Sequence, residues 1–334
     1  MKILLRFFAV FVWIGLAQTV FAAPERVLFV GNSYTAFGGE HSLDVCYTKL
    51  FQEKFSDDVV VKKHTVGGAS LELHLESART GALKELLSEG WDVVVLQDQS
   101  QIPGFPKHNT QWRSSRDAAV ELAGLIDAAG AETRLFMTWG RKAGDASNRV
   151  RYPDYERMQD RLAEGYAAYA DAIQDAGFEV QVVGVGEAWR WIHQQSREGG
   201  DPLAEEALFS RLYLGDGSHP SALGTYLAAA SFLAVLTGES PVGLEWAQEA
   251  IRPDEKRILQ ESAARLLPVV VDPESGVLDT GNDSTTNRSS TPAEETLEAC
   301  GCAVASGSQP RTWFLGVGVM GWLLMRRRVS ARFS

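Results

Sequence analysis

Between Pro24 and Pro268 the chain alternates short, continuous apolar runs with longer amphipathic segments, and this alternation limits its fold more than any other feature. Continuous apolar runs are typical of strands buried on both faces, whereas the segments between them have the spacing of helices that bury one face. The pattern predicts one α/β domain, a three-layer α/β/α sandwich around a five-stranded parallel sheet. We predict strands over residues 27–30, 59–61, 91–96, 134–139 and 179–185, and helices over 41–55, 83–89, 116–129, 154–177 and 220–237.

The residues directly after each strand are the candidates for a functional site, because ligands bind outside the carboxyl ends of the strands in such sheets. The first strand is followed by Asn32-Ser33, and a serine on a sharp turn between strand and helix presents its hydroxyl at the sheet edge. A turn of this kind is also an ordinary helix cap. The second strand is followed by Gly67-Gly68, where backbone N–H groups could approach a ligand closely because no side chain intervenes.

The third strand ends in Gln97-Asp98-Gln99. A neutral side-chain amide can stabilise developing negative charge without competing for protons, so this strand end could supply an oxyanion donor. Gln97 and Gln99 are two residues apart and could point to the same side of an extended chain, so both are candidates. Ordinary loop polarity is the plainer interpretation.

A histidine stands in a loop before the last predicted helix, in the sequence Asp216-Gly-Ser-His219-Pro. An aspartate three residues before a histidine can accept from its Nδ1–H, which fixes the tautomer and stabilises the imidazolium formed when Nε2 takes a proton. The pair therefore indicates a general base with its orienting carboxylate. The alternative is that Asp216 and Ser218 only cap the following helix.

Together, the four blocks resemble the SGNH/GDSL hydrolases, in the same order and at the same strand ends over about residues 26–240. The stretches GNSYT, VGGASLELHL, VVLQDQSQ and GDGSHPSALGTYLAA look like a little-characterised bacterial branch of that superfamily, one that carries a domain-of-unknown-function label. The resemblance implies an SGNH, flavodoxin-like fold and hydrolysis of an ester, with no metal or organic cofactor.

The resemblance also implies a role for each matching residue. Ser33 is the expected nucleophile, His219 its base and Asp216 the orienting acid. The oxyanion would be held by the N–H groups of Ser33 and Gly68 (or Gly67) and by the amide of Gln97 or Gln99. Two positions depart from the superfamily pattern. Asn32 replaces the usual aspartate before the serine, and the third block lacks the common Gly-x-Asn-Asp.

The substrate is predicted from fewer residues. Trp139 and Arg141 follow the fourth strand and Asn32 adjoins the nucleophile, so we consider these three as substrate contacts. Tryptophan faces suit sugar rings and cations suit hydroxyls or acids. The resemblance to secreted, surface-held esterases of this superfamily implies an acylated polysaccharide, so we expect removal of O-acetyl groups from carbohydrate, with a small ester as the simplest substrate. The alternatives are a lipase or thioesterase of the same superfamily and an inactive glycan-binding module. Trp189 and Trp191 after the last strand are more simply read as closing the edge of the sandwich.

Composition limits the partners. The chain carries a formal net charge of −11, but residues 1–22 and 303–334 hold seven basic residues and no acids, so the segment between them has 25 basic against 43 acidic residues, about −18. Nucleic-acid binding needs clustered Lys and Arg, and we therefore exclude it. Three cysteines are too few for a disulfide-dense scaffold.

The first 22 residues have the pattern of a secretory signal: two basic residues, an apolar run over 7–17, and Val20-Phe21-Ala22 resembling a signal peptidase site. The run is too short to span a bilayer, which needs roughly 20 residues. We expect a mature chain that begins near Ala23, outside the cytoplasm. An uncleaved membrane anchor is the alternative.

The C-terminus predicts a surface anchor. Residues 268–299 are rich in Ser, Thr and acids and contain no aromatics, so we predict a disordered tether. Residues 300–334 then carry Cys300 and Cys302, an apolar run over 312–325 and three arginines. This order resembles the MYXO-CTERM sorting tail of myxobacterial surface proteins, and it implies processing by a sorting protease at the cysteine motif and attachment to the membrane or outer cell surface. A plain single-pass anchor is the alternative.

Overall fold

The structure is a computed structural model that describes residues 23–55 and 58–267. The predicted signal peptide, tether and sorting tail lie outside these residues, together with Cys300 and Cys302, and remain predictions. In the described ranges, no helix is long and apolar enough to cross a membrane.

Five parallel strands form one sheet in the order β2-β1-β3-β4-β5, which confirms the predicted fold class. In register, Val27 lies between Val61 and Val93 on the neighbouring strands. The chain order reverses on either side of β1, and the crevice at such a switch point is where open α/β sheets bind ligands. The strands are β1 (Arg26–Gly31), β2 (Val60–Thr65), β3 (Val93–Leu96), β4 (Glu132–Phe136) and β5 (Val180–Val183).

Helices cover both faces of the sheet. Helices α2, α7, α9 and α10 pack on one face, and α3, α4, α5 and α6 pack on the other. In chain order they are α1 (Ser33–Ala36), α2 (Leu43–Lys54), α3 (Leu71–Thr80), α4 (Ala82–Leu87), α5 (Thr110–Ala128), α6 (Tyr155–Asp175), α7 (Val185–Gly199), α8 (Leu208–Arg211), α9 (Ala222–Thr237) and α10 (Pro253–Ala264). All five predicted helices are present, whereas α3, α7 and α10 were not predicted.

The central strand shows why its sequence is apolar throughout. Along β1, Val27 and Phe29 face the first layer of helices, while Leu28 and Val30 face the second. All four side chains are buried, and full burial of such a side chain contributes roughly 1.5–3 kcal/mol. The strand is thereby fixed from both sides, and its carboxyl end holds the next residues rigidly.

Helix α9 is buried along almost its whole length. It carries many small residues, which lets the sheet and helices α2, α7 and α10 approach it closely. The Ser221 hydroxyl caps its first turn by accepting from the Gly224 N–H, and Gly238 in the left-handed region (φ +72°) ends it. The loop that carries His219 therefore leads directly into the best-buried helix of the domain.

The buried imidazole of His74 makes the fold sensitive to acid. It lies within α3, with its ring centroid 5.4 Å from that of His64. Burial and the nearby His64 lower the pKa of His74 to about 4. Because the unfolded chain takes up this proton first, near a pKa of about 6.5, His74 costs stability progressively as pH falls from about 6.5 to 4, up to about 3 kcal/mol.

We therefore expect His74→Leu to lose less stability than the wild type between pH 7 and pH 5. Urea unfolding at both pH values measures the difference, and His108→Leu, which replaces an exposed histidine, should match the wild type. An equal loss of stability in wild type and His74→Leu would contradict this assignment.

Candidate active site

Three side chains from distant parts of the chain form one hydrogen-bonded series at the carboxyl end of the sheet. His219 Nε2 lies 2.9 Å from Ser33 Oγ, and His219 Nδ1 lies 2.5 Å from Asp216 Oδ2. Ser33 is the first residue of α1, directly after the β1 turn, and the other two precede α9. The structure thus brings together the serine, histidine and aspartate that the sequence singled out, in the order nucleophile, base and orienting acid.

Asn32 holds together the turn between β1 and α1 that carries Ser33, which we call the nucleophile turn. Its side-chain oxygen accepts from the Tyr34 N–H at 3.1 Å, which caps α1, while Nδ2 donates to the carbonyls of Ala69 (3.1 Å) and Asp98 (3.3 Å). An ionised aspartate could not make the last two contacts, because it has no proton to donate. Asn32 is only 3% exposed, so the structure corrects its predicted role: it links three strand ends rather than contacting substrate.

The histidine loop is built around Asp216. Its Oδ1 accepts from the backbone N–H groups of Ser218 (2.9 Å) and His219 (3.0 Å), which leaves Oδ2 for the ring. Burial opposes ionisation of this carboxyl, but the hydrogen bonds from the His219 ring and from the two N–H groups outweigh it and lower the pKa of Asp216. Ser221, not Asp216 or Ser218, caps α9, so the plainer interpretation of this loop as a helix cap does not hold.

An aromatic stack joins the nucleophile turn to the histidine loop. The rings of Tyr34 and Trp139 are parallel at 4.8 Å, and Trp189 stacks on the other face of Trp139 at 4.1 Å. Trp139 Nε1 donates to the Ser218 carbonyl at 3.1 Å, and the Tyr34 hydroxyl lies 2.6 Å from Ser218 Oγ. Trp139 is fully buried, so the structure corrects its predicted role as a substrate contact: it positions the residue beside His219.

The sequence predicts that the backbone N–H groups of Ser33 and Gly68 hold the oxyanion. Gly68 occupies the third position of a turn closed by a hydrogen bond from the Ala69 N–H to the Val66 carbonyl at 3.1 Å, and its φ of +68° is one that glycine adopts readily. Within the described residues, the N–H groups of Ser33 and Gly68 donate to no other group. Their role in an oxyanion hole stays a prediction.

The two candidate amides lie in different environments. The Gln97 N–H still pairs with the Val30 carbonyl (2.9 Å), so its side chain lies inside the domain, beneath the nucleophile turn. There its Oε1 accepts from the Asn32 N–H (2.9 Å) and the Thr35 hydroxyl (3.1 Å). A Cβ on Gly31 would approach Oε1 to 2.5 Å, so only glycine leaves room for this brace.

Gln97 Nε2 donates to the Asp98 carbonyl, so this amide is occupied in the interior and not directed at Ser33. We correct its predicted role accordingly. Gln99 is only partly buried. Its Oε1 accepts from the Gln101 N–H at 2.8 Å, and its Nε2 donates to Gln101 Oε1 at 3.3 Å. Gln99 is therefore the remaining candidate for the side-chain donor.

Arg141 is partly buried at the end of β4. Its Nη1 lies 2.9 Å from Asp145 Oδ1, and the buried Asp145 also accepts from Asn148 Nδ2 at 2.7 Å. Burial raises the pKa of Tyr34, and the hydroxyl contacts and nearby positive charge of Arg141 offset this only in part. Arg141 remains a candidate substrate contact.

Phe37 is a site residue that sequence analysis missed. Its ring lies 4.8 Å from that of His219, yet 41% of the residue is exposed. The available signal was a lone aromatic four residues after the nucleophile, next to two glycines and outside any helical pattern. In the described parts of the chain, no three His, Cys, Asp or Glu side chains are grouped to hold a metal ion.

Comparison with solved structures supports the fold. A DUF4886 family protein from Bacteroides uniformis matches with a TM-score of 0.56 at 19% identity, over 72% of this chain and 93% of its own. A proposed SGNH hydrolase from Slackia heliotrinireducens has a TM-score of 0.43 at 28% identity, covering 61% and 94% of the two chains. An acetylxylan esterase from Geobacillus stearothermophilus, solved as a catalytic mutant, has a TM-score of 0.47 at 14% identity, covering 69% and 99%. No protein-family model and no curated protein sequence matches this chain.

Proposed function

We propose that the protein is a serine esterase of the SGNH/GDSL type. The observation that carries this proposal is the hydrogen-bonded series from Ser33 through His219 to Asp216 at the switch point of the sheet. A serine hydroxyl is a weak nucleophile unless an adjacent base removes its proton, and a base is effective when a third group orients it. All three parts are present at hydrogen-bonding distance.

The proposed reaction is acyl transfer to water in two steps. His219 takes the Ser33 proton as Oγ attacks the ester carbonyl, and Asp216 stabilises the resulting imidazolium. The N–H groups of Ser33 and Gly68, with the Gln99 amide, hold the oxyanion. His219 then protonates the departing alcohol, and a water molecule, activated by the same histidine, releases the acyl group from Ser33.

A catalytically inactive binding module explains these features less well. Such a protein would have no need of a histidine held between a serine hydroxyl and a carboxylate. Asn32 stands where the superfamily usually has an aspartate, and the loss of that charge beside Ser33 could indicate a protein without activity. The Asn32 side chain instead makes hydrogen bonds that an aspartate could not, so the substitution is compatible with catalysis.

We further propose that the substrate is an O-acetyl group on carbohydrate. The site is open, since the side chain of Asp216 is 48% exposed and that of His219 is 28% exposed, which suits an acyl group carried on a bulky molecule. Phe37 offers an exposed aromatic ring beside the base, and Arg141 supplies donors for hydroxyl or acidic groups. The signal-like and anchor-like ends would place this activity at the outer cell surface.

We expect p-nitrophenyl acetate to be cleaved with at least about 10-fold higher kcat/KM than the octanoate, because the polar surroundings of Ser33 contribute little to binding a long acyl chain. Steady-state kinetics of the full chain measure this acyl-chain preference. Acetate release from acetylated xylan oligosaccharides tests the proposed carbohydrate substrate. A preference for medium-chain esters without acetate release from glycans would favour a lipase or thioesterase. Glycan binding without turnover of any ester would favour the binding module.

Phe37→Ala should separate the carbohydrate contact from the chemistry. We expect it to lower kcat/KM for acetylated oligosaccharides about 10-fold while changing that for p-nitrophenyl acetate much less. Phe55→Ala is the matched control, because Phe55 is equally exposed (41%) but lies beyond the end of α2 against Phe51. Equal losses on both substrates would count against a sugar-binding role for Phe37.

A further inference from the structure

We infer that Asp98 is a positioning residue whose buried carboxylate holds the loops after β2 and β3 in the geometry of the oxyanion hole. This inference rests on the proposed function. Sequence analysis used only the two glutamines that flank Asp98, and it assigned the aspartate no role.

One carboxylate oxygen joins two loops. Asp98 Oδ1 accepts from the Leu71 N–H at 3.0 Å and from the Gln99 N–H at 2.7 Å. Leu71 begins α3, three residues after Gly68, and Gln99 carries the candidate amide. The two predicted oxyanion donors outside the nucleophile turn are the Gly68 N–H and the Gln99 amide. The loop that carries each of them is therefore hydrogen-bonded to Asp98 Oδ1.

The backbone of Asp98 makes the third connection. Its carbonyl accepts from Asn32 Nδ2 at 3.3 Å and from the Gln97 side chain. Asn32 Nδ2 also reaches the Ala69 carbonyl, one residue after Gly68. The nucleophile turn and the two donor loops thus meet at Asp98, and a shift of this residue would move all three relative to one another.

Burying the Asp98 carboxylate costs free energy, which is a reason to infer that it serves the active site and not only the stability of the fold. Asp98 is fully buried, and within the described residues it forms no ion pair. Removing a carboxylate from water costs several kcal/mol, and the compensation here comes from two N–H groups, the N-terminus of α3 and the Tyr169 hydroxyl at 3.1 Å from Oδ2. Burial accordingly raises the pKa of Asp98 to about 6.

Geometry, not charge, is the expected contribution, because a negative charge close to an oxyanion would oppose its formation. Asp98→Asn keeps an oxygen that can accept from Leu71 and Gln99, and its new N–H₂ can donate to the Tyr169 hydroxyl. Asp98→Ala removes both links, and Asp98→Glu keeps the charge but displaces the oxygen. These three variants separate the two contributions.

We expect Asp98→Asn to retain kcat for p-nitrophenyl acetate within about 5-fold, and Asp98→Ala and Asp98→Glu to lower it about 10- to 100-fold with KM changed less than about 3-fold. Loss of one oxyanion donor costs about 100- to 1000-fold, and a displaced donor should cost less. Tyr169→Phe is the matched control, because it removes the partner of Oδ2 and leaves both Oδ1 links in place. It should leave kcat within about 2-fold.

Amide hydrogen exchange gives a second readout that does not depend on turnover. In Asp98→Ala and Asp98→Glu, residues 66–73 and 97–101 should exchange faster together, whereas Asp98→Asn should resemble the wild type. If Asp98→Ala does not fold, Asp98→Glu decides. Normal kcat and normal exchange in both loops would overturn the inference, as would loss of activity in Asp98→Asn equal to that in Asp98→Glu. An inactive wild type with the expected exchange pattern would instead reject the proposed esterase while retaining the link between the loops.

Discussion

Ser33→Ala is expected to lower kcat for p-nitrophenyl acetate by about 10⁴-fold or more, because the acyl-enzyme can no longer form. The Ser33 hydroxyl makes the hydrogen bond to His219, and its removal leaves the His219–Asp216 hydrogen bond in place. Catalysis that survives loss of a nucleophile in such sites comes from the oxyanion hole and substrate binding alone. Steady-state hydrolysis by the full chain measures the loss.

Ser218→Ala is the matched control for this variant. Its hydroxyl lies in the same site, but it contacts the Tyr34 hydroxyl at 2.6 Å and not the histidine ring. We expect this variant to keep activity within about 5-fold. A fluorophosphonate should label the wild type at Ser33 and should not label Ser33→Ala. Retention of more than a tenth of the activity in Ser33→Ala would mean that another group is the nucleophile.

His219→Ala is expected to cause a loss of similar size, about 10⁴-fold at neutral pH, because no other base is placed to take the Ser33 proton. The residual rate should rise with hydroxide concentration, since solvent must then remove the proton. In the wild type, activity should fall on acidification, because an imidazolium cannot accept a proton. A pH–rate profile of both proteins from pH 5 to pH 9 measures these effects.

His108→Ala serves as the control, since it removes an exposed histidine from the surface before α5. It should reproduce the wild-type profile. A His219→Ala variant that keeps the acidic limb of the wild-type profile would show that a different group carries the proton.

The central strands β1 and β3 could be predicted because their side chains are almost all buried and apolar, whereas the edge strand β2 is partly exposed and contains Lys62, Lys63 and His64, so only its start was predicted. Helix α3 buries His74 among its apolar residues, which weakens the apolar stripe of that segment. Helix α7 buries Val185, Trp189 and Ile192 at helical spacing, so the sequence pattern did carry a signal for it, although its buried face also includes His193. Burial of a histidine depends on its tertiary neighbours, which the spacing of residues along one segment does not reveal.

The proximity of Ser33, Asp216 and His219 could be predicted because each occupies a strand end or a loop before a helix, and parallel strands bring such positions to one edge. Which of Gln97 and Gln99 is the candidate oxyanion donor could not be predicted from the sequence. It depends on where the chain leaves the sheet, and the Gln97 N–H still pairs with β1 while Gln99 lies in the following loop. The burial of Trp139 likewise requires two rings from distant segments, Tyr34 and Trp189, on its faces.

The aromatic stack divides the sheet edge into an inner and an outer layer. Tyr34 and Trp139 are buried and connect the turn at Ser33 to the loop that carries His219, whereas the outer pair, Phe37 and Arg141, takes no part in this stack, although the exposed Phe37 also lies against the His219 ring. If the outer pair contacts substrate as proposed, we expect selectivity and reactivity to be largely separable in this scaffold. An engineer, or natural drift, could exchange the outer pair to accept a different esterified alcohol while the reacting atoms kept their mutual distances.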